Sequence, residues 1–143
     1  MARSLLSGSG SFKGLDRKLA KLERMSAELK SLMRDTLEKQ VNGIADNMRA
    51  IAWVDPSTKH PYALRDGIVV RQGKHELAFE IEDVARDEKG RLFAAHVEFG
   101  HKTASGAHVP PKPFFFKARE AGWKRAKAAL AAAWRAYNKA TFG

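Results

Sequence analysis

The sequence predicts an α+β fold that consists of a long N-terminal amphipathic helix, a small antiparallel β-sheet and a C-terminal amphipathic helix. Apolar residues recur every three or four positions from residue 15 to residue 51, which is the spacing of one helix face. Two short segments between residues 64 and 81 then have the composition and alternation of strands. Helical spacing returns after residue 115 on an alanine-rich background, which favours a second helix.

The chain of 143 residues has the size of one domain. Residues 1–14 contain the run Ser-Gly-Ser-Gly-Ser and are predicted to be a flexible leader, and residues 15–143 are predicted to be a single α+β domain. The absence of cysteine excludes disulfides, thiolate metal sites and cysteine nucleophiles, and it suits assembly in a reducing cytoplasm. No apolar run reaches the roughly 18 residues that span a bilayer, so we expect no membrane partner.

The first helix is predicted to continue to about residue 51, with a kink or break at Asn42-Gly43 because glycine is unfavourable inside a helix. Asp55-Pro56 ends it, since the residue before a proline avoids helical geometry. Strands are predicted at residues 64–71 and 76–81, joined by a hairpin-length loop at residues 72–74.

Residues 92–99 fit either a third strand or a short helix, and residues 100–113 are predicted to be an exposed loop. The C-terminal helix is predicted from five large residues at helical spacing, which are Phe116, Trp123, Leu130, Trp134 and Tyr137. Of the three consecutive phenylalanines 114–116, either at least one lies at a subunit contact or all three are buried.

Charge is distributed unevenly along the chain, whose net charge is +10. Residues 117–139 contain seven bases and one acid, whereas residues 76–98 contain seven acids and three bases. Opposed segments of this kind can pair between copies of the chain, and a basic helix can also track nucleic-acid phosphates or simply be a solvated face. The residues expected to contact either a neighbouring subunit or DNA are Lys117, Arg119, Lys124, Arg125, Lys127 and Arg135.

Enzymatic chemistry has little support in the sequence. His96, Glu98 and His101 could hold a metal ion or shuttle protons, but ordinary surface or interface histidines explain the same pattern. Neither a phosphate-binding glycine loop nor a nucleophile elbow is present. We therefore expect no enzyme activity, no catalytic residue, no metal and no cofactor.

Three segments, taken in order, resemble the tail-component family of lambdoid siphophages, whose members are called head-tail joining, neck or tail-completion proteins. The first comprises Asp55-Pro56-Ser57-Thr58 and Leu64-Arg65-Asp66-Gly67-Ile68, similar to the family's Pro-x-x-Thr-Gly-x-Leu-Arg-x-Ser-Ile with a longer spacer and without its glycine. The second, residues 93–100, resembles Tyr-Ala-x-x-Val-Glu-Phe-Gly-Thr and has His101 where threonine is usual. The third, residues 111–118, resembles Pro-x-Arg/Lys-Pro-Phe-Leu-x-Pro-Ala, with Lys117 in place of the second proline.

The residues that match the family pattern are Pro56, Thr58, Leu64, Arg65, Ile68, Ala94, Val97, Glu98, Phe99, Gly100, Pro113, Phe114 and Phe115. We expect Glu98, Phe99 and Gly100 to shape the fold or a ring contact, with Phe99 supplying apolar burial and Gly100 a backbone conformation closed to other residues.

The resemblance implies a structural virion protein at the neck, assembled in the host cytoplasm. It also implies a homo-oligomeric ring, of six copies, that contacts portal or connector proteins and tail-tube or tail-terminator proteins, with genome DNA passing through the lumen. The competing class is a basic DNA-binding or packaging accessory protein, and a more distant one is a small metal-dependent enzyme.

Overall fold

The computed structural model of the protein describes residues 26–143, so the predicted leader and the first part of the predicted long helix, residues 15–25, lie outside the described residues. Two long helices and a small antiparallel sheet dominate this part of the chain, which confirms the α+β class. The helices are α1 (Ala27–Ile51), α2 (Ala63–Asp66), α3 (Ala94–Phe99) and α4 (Phe115–Phe142), and the strands are β1 (Ile68–Gln72), β2 (Phe79–Asp83), β3 (His101–Lys102) and β4 (His108–Val109).

Helix α1 begins after Ser26, whose hydroxyl accepts a hydrogen bond from the Leu29 amide at 3.3 Å. It continues through Gly43 as one helix, so of the kink or break expected at Asn42-Gly43 the break is wrong. Gly43 lies on the exposed side with open space around it, and its local cost of ~1 kcal/mol is outweighed by the buried stripe of the same helix. The stripe consists of Leu29, Met33, Leu37, Val41, Ile44, Ala45 and Met48.

The predicted strand at residues 64–71 begins four residues later than expected. Leu64 and Arg65 lie in α2, where the Gly67 amide donates to the Ala63 carbonyl at 2.9 Å and closes a helical turn. Gly67 then passes so close to β2 that a Cβ there would lie 2.5 Å from an Asp83 oxygen.

Strand β2 is also displaced from its predicted position at residues 76–81. A turn closed by the Gly73 amide on the Ala78 carbonyl, at 2.7 Å, occupies residues 73–78, so the strand begins at Phe79 and continues to Asp83. The two strands pair antiparallel as predicted, with Val70 opposite Ile81.

Residues 92–99 end in helix α3, which decides between the two structures that the sequence allowed. The predicted loop at residues 100–113 contains a short hairpin in which β3 pairs with β4. Two-residue strands give too little alternation to be recognised in a sequence.

Helix α4 packs antiparallel along α1. Ser26, at the start of α1, hydrogen bonds through its hydroxyl to the Tyr137 hydroxyl at 2.8 Å, and Ile44 near the other end of α1 lies against Gly122. The main core lies where the two helices meet the sheet and α3, and Phe114 and Phe115 are completely buried in it. Among residues 26–143, no helix combines the length and the apolar character that a membrane span requires.

Candidate assembly surface

Glu98 joins α3 to the start of α4. Its carboxylate accepts three backbone hydrogen bonds, from Phe114 at 2.8 Å, Phe115 at 3.0 Å and Phe116 at 3.2 Å. The first amides of a helix have no partner inside the helix, and Phe114, at the N-cap position, has no side chain that could accept them. Glu98, which is only 4% exposed, therefore caps α4 from outside and places a negative charge at the positive end of its dipole.

Gly100 turns the chain away from α3 immediately after this residue. Its φ of 75° is a conformation that favours glycine, and a Cβ would lie 2.7 Å from the Val109 carbonyl oxygen and 2.9 Å from the Pro111 nitrogen. The backbone conformation expected of Gly100 is therefore present. A hydrogen bond of 2.8 Å from the Lys112 amide to the Val97 carbonyl holds the returning chain beside α3.

The three phenylalanines divide between the interior and the surface. Phe114 and Phe115 are fully buried, with their rings edge to face at 6.3 Å between centroids, whereas Phe116 is half-buried. Phe114 and Phe115 are therefore core residues, and of the three phenylalanines only Phe116 has surface available for a subunit contact.

Burial of Phe99 inside the subunit is excluded, because its side chain is 62% exposed, and its burial at a ring contact stays a prediction. Ala94, Val97 and Glu98 occupy the inward side of the six-residue helix α3, which leaves Phe99 outside. Its ring lies 5.8 Å from that of Phe116, and the Arg119 guanidinium carbon lies 4.6 Å from the Phe116 ring centroid. We call Phe99, Phe116 and Arg119 the aromatic patch.

The first of the three segments that resemble the family, residues 55–68, also has some residues in the core and others on the surface. Leu64 and Ile68 are each 2% exposed and belong to the core, whereas Pro56, Thr58 and Arg65 are exposed. The third segment approaches the loop that carries Pro56, since Lys112 Nζ lies 3.7 Å from the ring centroid of Trp53.

The predicted contact residues of α4 differ in exposure. Lys117, Lys124, Arg125, Lys127 and Arg135 are exposed, and none of them forms an ion pair within residues 26–143. Arg119 is half-buried and belongs to the aromatic patch.

The acidic segment is mostly occupied inside the subunit. Glu76 pairs with Lys30, Glu82 with Arg71, and Asp87 with Arg91. Asp83 and Glu98 are buried. Five of the seven acids that were expected to face a neighbouring basic helix therefore already have a partner or are inaccessible.

The histidine and carboxylate cluster does not converge. Because residues 94–99 are helical, Glu98 lies in the core while His96 is exposed, and only the His96 and His101 rings meet, at 5.3 Å between centroids. Over the part of the chain that the structure describes, no three His, Cys, Asp or Glu side chains are placed to hold a metal ion.

Asp83 is a buried group that the sequence interpretation missed. One carboxylate oxygen accepts a 2.9 Å hydrogen bond from the Ala85 amide, and the other has no partner within the described residues. Burial raises the pKa of Asp83 to about 7. The signal was available, because Asp83 continues the alternation of Phe79 and Ile81 on the inward face of the strand.

Comparison with protein-family models, with curated proteins and with solved structures finds no match to this chain. Function is therefore inferred from the three sequence segments and from the contacts described above.

Proposed function

We propose that the protein is a structural subunit of a tailed phage or phage-like particle, without enzyme activity, and that it forms a ring at the head-tail interface. The observation that carries this proposal is the Glu98 carboxylate, which binds the amides of Phe114, Phe115 and Phe116. This contact makes one structural unit of the second and third segments that resemble the family.

A structural role fits the way in which these residues are used. Both oxygens of Glu98 are engaged by backbone amides in the interior, so the carboxylate is not presented to a substrate. Gly100 permits a turn, and Phe114 and Phe115 fill the core. Each residue maintains the geometry of the junction between α3 and α4.

The junction presents the aromatic patch to solvent. Aromatic residues and arginine are enriched at the centres of protein interfaces, where they contribute a large share of the binding energy. A closed ring requires that one surface of a subunit bind a different surface of the next copy. In our proposal the aromatic patch is one of these two surfaces, and portal, connector or tail proteins contact the assembled ring of six copies.

The proposal is tested by comparing Phe99→Ala with wild type in sedimentation velocity and negative-stain electron microscopy, alone and with purified neck components. We expect Phe99→Ala to keep the melting temperature of wild type, because the side chain is exposed, and to lose ring formation. Phe142→Ala is the matched control, since Phe142 is 80% exposed at the far end of α4. Normal rings from Phe99→Ala, or equal loss from both variants, would contradict the proposal.

A further inference from the structure

Helix α4 carries a row of four basic residues on the side that faces away from α1. At ~100° per residue, Lys117, Lys124 and Arg135 point within about 20° of one another, and Lys139 lies about 40° further round. The buried residues Phe115, Ala118, Gly122 and Ala126 occupy the opposite side of the helix. We call Lys117, Lys124, Arg135 and Lys139 the basic stripe, and its length along the helix is about 33 Å.

The charge of the stripe is not balanced by the helix that carries it. Helix α1 contains four bases and four acids, whereas α4 contains seven bases and a single acid, Glu120. The four stripe residues are exposed, and none of them forms an ion pair within the described residues. The acids of residues 76–98 are mostly engaged elsewhere, so this segment of a second copy offers little to neutralise the stripe.

We propose that the basic stripe binds the phosphate backbone of double-stranded DNA. Cationic side chains at a phosphate backbone release condensed counterions, which is the main source of affinity for a surface of this kind. The exposed alanines at positions 121, 128, 131 and 132 lie within about 60° of the stripe, and so do the exposed acid Glu120 and the half-buried Asn138. The small alanine side chains leave room for the long basic side chains to reach phosphates.

The same composition predicts binding without sequence preference. Direct readout of base edges uses side chains such as Asn, Gln and Arg that reach into a groove at defined positions. Most side chains around the stripe are alanines, which cannot read base edges, and three of its four basic residues are lysines, so its contacts mainly position the protein on the backbone.

The test is fluorescence anisotropy with a labelled 40-base-pair duplex of mixed sequence, titrated at several salt concentrations from 50 to 200 mM. The stripe variant combines Lys117→Ala, Lys124→Ala and Arg135→Ala, substitutions that suit a helix. The control combines Lys59→Ala, Lys74→Ala and Lys89→Ala, which removes three exposed charges that lie outside α4.

We expect wild type to bind with a steep salt dependence and with equal affinity for unrelated sequences. The stripe variant should weaken binding at least tenfold and make the slope of log K against log salt shallower by about 0.9 per residue removed. The control should change affinity less than threefold. Absence of binding at 50 mM salt, equal losses in both triple variants, or equally tight binding of an acidic polypeptide would overturn the inference.

This inference does not depend on the proposed ring. Anisotropy reports DNA binding, whereas sedimentation of Phe99→Ala reports assembly, so either proposal can fail while the other holds.

Discussion

Substitution of Glu98 should be the most damaging single change at the junction between α3 and α4. In Glu98→Ala the amides of Phe114, Phe115 and Phe116 lose their acceptor together, in a site closed to water. A hydrogen bond to a charged group contributes ~1.5–3 kcal/mol, and such contributions are not additive when they share one group. We expect a loss of ~3–5 kcal/mol in the free energy of unfolding, a large part of the 5–15 kcal/mol typical of a domain.

Glu98→Gln gives a graded version of the same test. Its single amide oxygen can replace the carboxylate oxygen that serves Phe114 and Phe115, but its NH2 group then faces the Phe116 amide, donor against donor. The variant also removes the negative charge from the helix N-terminus. We expect ~1–3 kcal/mol of destabilisation, so this variant remains measurable if Glu98→Ala does not fold.

Urea denaturation followed by tryptophan fluorescence measures both changes, since Trp53, Trp123 and Trp134 are all partly buried. Glu88→Gln is the control, because Glu88 is exposed in a turn and should change stability by less than ~0.5 kcal/mol. Amide exchange at Phe116 should accelerate in Glu98→Gln. If both Glu98 variants were as stable as the control, Glu98 would not be the cap of α4.

Three further predictions concern other parts of the fold. Gly122→Ala should destabilise the fold by ~1–3 kcal/mol in thermal melts, because its Cβ would collide with Ile44. Gly43→Ala, in open space on α1, should stabilise the fold by up to ~1 kcal/mol. A change of the same sign in both variants would contradict the packing of α1 on α4. Asp83 has a pKa of about 7 in the folded state against 3.8 in the unfolded state. Its contribution to the free energy of unfolding is therefore greatest below pH ~4, falls as the pH rises to about 7 and is constant above. Asp83→Asn should reduce the loss of stability between pH 5 and pH 8 by an amount on the order of 2–4 kcal/mol in urea titrations. Charge reversal of Lys124, Arg125 and Lys127 to glutamate should leave the melting temperature within a few degrees of wild type, since all three side chains are exposed. A variant that does not fold would contradict this exposure.

The long helices were predictable because their apolar spacing is sustained over many turns. The prediction failed where a single local feature was given too much weight. Glycine at position 43 suggested a break, but one unfavourable residue on the solvent side does not overcome seven buried side chains on the other. The start of β2 was misplaced because residues 73–78 form a turn, held by the Gly73 amide on the Ala78 carbonyl and by side-chain hydrogen bonds of Gln72 and His75, which the alternation of apolar residues does not reveal.

The junction was only partly predictable. Glu98 and Gly100 were expected to shape the fold or a ring contact. In the structure, Glu98 accepts hydrogen bonds from the first amides of α4, and Gly100 turns the chain where a Cβ would collide with the Val109 carbonyl. Phe99 was expected to be buried either in the fold or at a ring contact. The six residues of α3 have one inward side, which Val97 and Glu98 occupy, so Phe99 lies outside the core of the subunit. Phe114 cannot cap α4 with its own side chain, so the first amides of the helix needed another acceptor, and the sequence pattern does not identify Glu98 as that acceptor.

Helix α4 combines three surfaces on one rigid element, and their positions along it separate their functions. The cap at Glu98 and the aromatic patch act on its first turn or two, which also contain Lys117, whereas the other three residues of the basic stripe, Lys124, Arg135 and Lys139, lie further along. Fraying from a lost cap is greatest at that end of the helix and decreases toward the part packed on α1. Glu98→Gln should therefore impair assembly through the aromatic patch more than it impairs DNA binding through Lys124, Arg135 and Lys139, and the opposite order would mean that the two surfaces are not separate.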